Sequence, residues 1–145
     1  MNLRLSILLL ISLGSPCVGT ACSCAMAPPG EEDVKFQEDL NTSDWIFRGK
    51  IVAHRDGAAV FRVYEYWKGN IKGDAKVQWR RGDRGDCNGF WPDDLKVGNE
   101  LLVFARKGRF GIYRTSICLP TRLASTAQNV LRALGPGKQL PASAR

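Results

Sequence analysis

Hydrophobic residues recur at every second position through much of the central chain. From Trp45 to His54, Trp45, Phe47, Ile51 and Ala53 alternate with Arg48 and Lys50, the period of a half-buried strand. Arg55-Asp56-Gly57 follows, and an Asp-Gly pair between two such runs predicts a tight hairpin. The second strand, Ala58 to Lys68, sets Phe61, Val63 and Trp67 on one face against Arg62, Tyr64 and Tyr66 on the other, and Lys68-Gly69-Asn70 ends it. A short third strand is expected from Lys76 to Arg80, then a charged loop from Arg81 to Asp94 that carries Cys87. Val97-Gly98-Asn99 turns the chain into a fourth strand, Glu100 to Lys107. Its run Leu101-Leu102-Val103-Phe104-Ala105 is apolar on both faces, which predicts a central position. Gly108 connects it tightly to a fifth strand, Phe110 to Ile117, that delivers Cys118.

Two helices flank these strands. After Pro28-Pro29 and Gly30, the acidic residues Glu31, Glu32 and Asp33 suit a first turn, and Phe36 and Leu40 share one face, giving a helix from Glu31 to Asn41. Beyond Pro120, Ser125 and Gln128 have the spacing of a capping box ahead of Val130, Leu131 and Leu134, and Gly135-Pro136 stops that helix. Lys138 to Arg145 reads as a polar, disordered tail. Five short strands with a helix at each end predict a mainly β fold, a five-stranded barrel of the OB type with flanking helices.

The N-terminus has the pattern of an export signal. Arg4 supplies the positive end, Leu5 to Leu13 an apolar run interrupted only by Ser6 and Ser12, and Gly19-Thr20-Ala21 the small residues a signal peptidase accepts. The run is roughly half of the ~20 residues a bilayer span needs, so a transmembrane segment is not expected. Cleavage after Ala21 divides the chain into a signal peptide, 1–21, a folded domain, 22–134, and a flexible tail, 135–145. The mature protein then begins Cys22-Ser23-Cys24, with a free α-amine. Export implies a secreted protein, extracellular or periplasmic. Lipidation of Cys22 is the alternative, since Thr20 and Ala21 suit a lipoprotein signal, but Gly19 stands where a large aliphatic residue is preferred.

Cleavage also changes the cysteine arithmetic. Cys17 leaves with the signal, and the five cysteines become four: Cys22, Cys24, Cys87 and Cys118. An even number in an exported chain predicts two disulfides. A Cys22–Cys24 bond is disfavoured, because residues two apart in an extended segment hold their β-carbons too far apart, so each must reach into the body of the protein. A thiolate zinc site from the same four is the alternative, although a Cys-x-Cys pair with two isolated cysteines departs from the usual spacing.

The chain is long enough for one domain with a genuine core. Its 145 residues carry a formal net charge of +7, and Arg4 leaves with the signal. That balance suits an acidic glycan, a membrane surface or an acidic protein; export sets intracellular nucleic acid aside.

Mature Cys22-Ser23-Cys24, Val60-Phe61-Arg62-Val63 through Trp67-Lys68-Gly69, Cys87 after the third strand, Val97-Gly98 before Leu101 to Ala105, and Cys118 ending the fifth strand together form a pattern. It resembles the inhibitory N-terminal, netrin-like domain of the tissue inhibitors of metalloproteinases, in a bacterial-type single-domain form. The resemblance runs over most of Cys22 to Leu134. It implies disulfides Cys22–Cys87 and Cys24–Cys118 and no cofactor of the protein's own. It also implies that the Cys22 amine and carbonyl bind the catalytic zinc of a secreted metalloprotease, while Ser23 enters the adjoining pocket. The implied inhibitory ridge is Cys22, Ser23, Cys24, Ala25 and Met26, flanked by Gly85 and Asp86 beside Cys87. The animal members' third disulfide and second, cysteine-rich domain have no counterpart in these cysteines.

Other residues point less sharply. His54 is the single histidine and reads as a surface turn residue, so neither a Ser-His-Asp site nor a histidine-rich metal centre can be assembled. Asp93-Asp94 after Trp91-Pro92 reads as turn chemistry. Arg81-Gly82-Asp83 and Arg84-Gly85-Asp86 have the form that integrins read, a short motif that arises easily in a chain of this composition. Trp67 and Trp79 are expected to pack rather than to stack on nucleic acid. Nothing here argues for an enzyme. The alternative function is a secreted binding or adhesion module with a basic barrel surface that holds an acidic glycan.

Overall fold

The computed structural model describes residues 24, 25, 27–79 and 87–141. Within them the chain runs α1 (Glu32–Thr42), β1 (Trp45–Arg55), β2 (Ala58–Lys68), β3 (Asp74–Gln78), β4 (Glu100–Lys107), β5 (Tyr113–Arg114), β6 (Arg122–Leu123), α2 (Gln128–Leu134) and β7 (Lys138–Gln139). Strands β1, β2, β3, β5 and β4 are hydrogen-bonded in that order, and β4 returns to β1, closing a five-stranded barrel of the OB type. The pairing of β3 with β5 is parallel, Val77 opposite Tyr113. The β1–β2 hairpin turns at Asp56 and Gly57, both with positive φ (51° and 69°), the geometry an Asp-Gly pair accepts at low cost.

Alternation along β4 feeds two cores. Leu101, Val103 and Ala105 enter the barrel interior with Phe47, Ile51, Phe61, Val63 and Val77. Leu102 and Phe104 point outward, where Ile46, Leu119, Ala127 and Val130 cover them, with Phe36 and Leu40 of α1 and Leu131 and Leu134 of α2 packed alongside. All five β4 residues from Leu101 to Ala105 are 0 % exposed, as a run apolar on both faces predicts. The helices therefore close the outer face of the central strand, and this positions the N-terminal segment, which enters beside α1.

Several expectations are corrected. The third strand begins at Asp74 and ends at Gln78, before Arg80, which lies outside the described residues. The expected alternation of β2 fails beyond Val63: the register against β1 shifts so that Tyr64 and Trp67 have no opposite residue. A bulge of this kind moves later side chains to the other face, so Tyr66 packs against the interior and Trp67 against the outer cluster.

The fifth strand is two residues long, not the eight expected. Phe110 stands at the hairpin tip with φ 60° and is 97 % exposed. After Arg114 the chain leaves the ladder because hydroxyls replace it: Phe104 N donates to Thr121 Oγ1 (2.9 Å) and Thr115 Oγ1 donates to Phe104 O (2.7 Å), all buried.

The capping box does not form. Ala127 occupies the N-cap without a side-chain bond, a 3₁₀ turn at Ala124–Thr126 precedes α2, and Gln128 Nε2 instead donates to Ala124 O (2.9 Å). Gly135, with φ 69°, ends α2 as expected. The tail expected to be disordered is docked through Leu140. Lys138 and Gln139 pair with Tyr66 and Glu65 of β2, Leu140 N donates to Tyr64 O (2.9 Å), and the Leu140 side chain is buried in the interior core. Residues 142–145 lie outside the described residues.

Candidate functional site

The segment after β5 is organised by hydroxyl side chains rather than by strand pairing. Ser116 bridges Asn88, its Oγ donates to Cys87 O (2.7 Å), and Cys118 N donates back to Ser116 Oγ (3.1 Å). Ile117 N also donates to Cys87 O (3.0 Å), and Gly89 N to Thr115 O (2.9 Å). These bonds fix Cys87 and Cys118 side by side, two segments that the sequence separates by 31 positions.

Cys24 is disulfide-bonded to Cys118, with Cα atoms 5.2 Å apart. The sulfur atoms of Cys24, Cys87 and Cys118 all lie within 4.8 Å of one another. Cys87 is itself disulfide-bonded, and Cys22, the partner expected for it, lies outside the described residues. With their sulfurs in disulfides, these three cysteines offer no thiolates, and the zinc-site alternative loses its ligands. The Cys24–Cys118 pairing is the one that the family resemblance implies.

Cys24 and Ala25 border a groove of about 480 Å³ between the start of α1, the Cys118 turn and α2, lined by Phe36, Leu119 and Val130 among others. Its α1 wall is acidic, with Glu32, Asp33 and the buried Asp39, which pairs with Lys35 and lies 3.7 Å from Arg106. Cys24 is half-buried and Ala25 exposed at the edge of this groove. Of the other ridge residues, Cys22, Ser23, Met26, Gly85 and Asp86 lie outside the described residues.

Elsewhere the electrostatics are structural. Arg48 on the barrel flank pairs with Glu100 (2.5 Å) and faces the Tyr64 ring (5.7 Å to its centroid). Burial works against the Glu100 carboxylate, but Tyr64 and Arg48 outweigh it and hold its pKa below the ordinary carboxylate range. Burial and the neighbouring Asp93 push the Asp94 carboxyl up, opposed by Arg122. Asp93 and Asp94 sit in a 3₁₀ turn, Pro92–Leu95, in keeping with turn chemistry. His54 is exposed at the end of β1, its ring 5.9 Å from that of Trp79. Trp67 and Trp79 pack against the two cores, and Trp67 Nε1 donates to Gly135 O (2.8 Å).

Sequence reasoning missed Thr115, Ser116 and Thr121, the residues that set the cysteine geometry. A Ser or Thr in an extended run carries no periodic signal, because its role depends on which distant carbonyl it meets. No helix among the described residues is long and apolar enough to cross a membrane. No protein-family model and no curated protein matches this chain.

Proposed function

We propose that the protein is a secreted inhibitor of a zinc metalloprotease, acting through the amine and carbonyl of Cys22 after removal of residues 1–21. The supporting observation is the covalent clip at Cys24–Cys118 with the disulfide-bonded Cys87 beside it, two residues from the proposed new N-terminus. A segment held this way loses little freedom on binding, so a chelating group at its end is preorganised. A protease zinc keeps one position for water or substrate, and a neutral α-amine can take it. With an ordinary pKa near ~8, that amine sheds its proton at modest cost. Ser23 follows as the side chain that enters the adjoining pocket, and Ala25, Met26, Gly85 and Asp86 flank it.

The experiment is a one-residue extension. An alanine placed before Cys22 moves the amine by about 3.5 Å, beyond the roughly 2 Å length of a zinc–nitrogen bond. Inhibition across a screen of secreted metalloproteases is expected to collapse while circular dichroism stays unchanged. Equal potency of native and extended proteins would leave the binding-module reading, with its acidic glycan partner, ahead.

A further inference from the structure

The sequence beyond Glu100 contains eight Lys and Arg residues and no Asp or Glu. Four of these cations, Arg106, Lys107, Arg109 and Arg114, are exposed on the β4–β5 hairpin. Arg106 opposite Arg114 and Lys107 opposite Tyr113 are its last strand pairs, and Gly108 N donates to Ile112 O (2.7 Å), leaving Arg109-Phe110-Gly111 as the tip.

Phe110 at that tip is 97 % exposed and Ile112 38 %. Phe110 also holds a left-handed backbone conformation, which a bulky side chain adopts only under strain. Among the described residues its exposed side chain gains no burial that would compensate for it. Below the tip, the half-buried rings of Trp45 and Tyr113 stack 3.4 Å apart at 9°.

We propose that this hairpin docks on an anionic phospholipid surface, with Phe110 and Ile112 entering the headgroup region and Lys107 and Arg109 meeting lipid phosphates. An exposed phenyl flanked by cations has the pairing that an anionic bilayer interface takes up, apolar tip below the headgroups and basic side chains at the phosphates. Tyr113 lies three positions beyond Phe110, so at most ~10 Å of chain separates them, within the depth at which interfacial side chains sit. Trp45 and Tyr113 then lie at the level where amphipathic rings are favoured. Among the described residues, neither the Lys107 nor the Arg109 side chain has an acidic partner. The nearby carboxylates are engaged: Asp44 accepts from Lys107 N (2.6 Å), Asp56 from Lys76 (2.9 Å), and Asp39 pairs with Lys35. This inference does not depend on protease inhibition.

The test uses exported protein whose N-terminus has been verified by mass, so that the apolar run of residues 5–13 cannot contribute. Co-sedimentation is measured with phosphatidylcholine vesicles and with vesicles that also contain phosphatidylserine. Binding is expected on the mixed vesicles alone, weakening with salt. Lys107→Ala and Arg109→Ala should each weaken it roughly fivefold, the effect of about one cation at an anionic surface. Phe110→Gly should abolish most of it while leaving the melting temperature unchanged or higher, since glycine relieves the left-handed strain. No binding to mixed vesicles would overturn the proposal. So would binding to mixed vesicles that Phe110→Gly leaves intact, which would identify a polyanion site without insertion.

Discussion

The barrel body and the cystine-clipped N-terminal edge are held by different forces. In the body, β4 is buried on both faces and paired along both edges, and the hydrophobic effect fixes it. At the edge, the described N-terminal residues Cys24 and Ala25 belong to no strand, and Cys24 is fixed by one covalent bond to a turn that Ser116 and Cys87 organise. A region held by packing tolerates little change inside it. One held by a bond can be altered at its tip without cost to the fold. Stability and the proposed activity should therefore separate.

The largest effect should come from the body. Phe104→Ala opens a cavity between the central strand and both helices and should cost about 3–5 kcal/mol in chemical unfolding. Replacing Cys24 and Cys118 together by serine should cost about 2–5 kcal/mol through the freed loop, and it should remove inhibition in protein still shown to be folded. If inhibition survived that change, the edge would not need its clip. Thr121→Val leaves the buried Phe104 N without its acceptor and should cost about 1–3 kcal/mol, with no change in any inhibition.

The smallest effect is electrostatic. Burial and Asp93 raise the Asp94 pKa in the folded state, so the folded protein binds that proton more tightly than the unfolded chain. Its contribution to stability is therefore present below the ordinary carboxylate pKa and lost as pH rises through the raised one. Asp94→Asn should be stabilising near neutral pH by at most about 0.5 kcal/mol, with the gain vanishing in acid. A stability difference that grew in acid would contradict this assignment.

What the sequence made legible follows the same division. Strands β1, β2 and β4, the Asp56-Gly57 turn and the two-sided burial of Leu101 to Ala105 were readable because each is a local pattern repeated over many residues. The short β5, the bulges at Tyr64 and Trp67 and the docking of Leu140 were not, since each depends on a partner far along the chain. Gln128 had the spacing of a capping box, yet Ala124 O captured its amide first. At the candidate site the cysteine count predicted disulfides, and the resemblance supplied the Cys24–Cys118 pair. The Ser116 hub was invisible because one hydroxyl has no period.

The most direct measurement of the central claim is a spectrum of the target's metal. A secreted metalloprotease that the protein inhibits would be loaded with cobalt in place of zinc and titrated with exported protein, once with its α-amine free and once acetylated. The account predicts that the free-amine protein shifts the visible cobalt bands as the metal gains a nitrogen ligand, and that the acetylated protein neither shifts them nor inhibits. Inhibition by the free-amine protein without any change in the cobalt spectrum, or identical shifts from both forms, would contradict it.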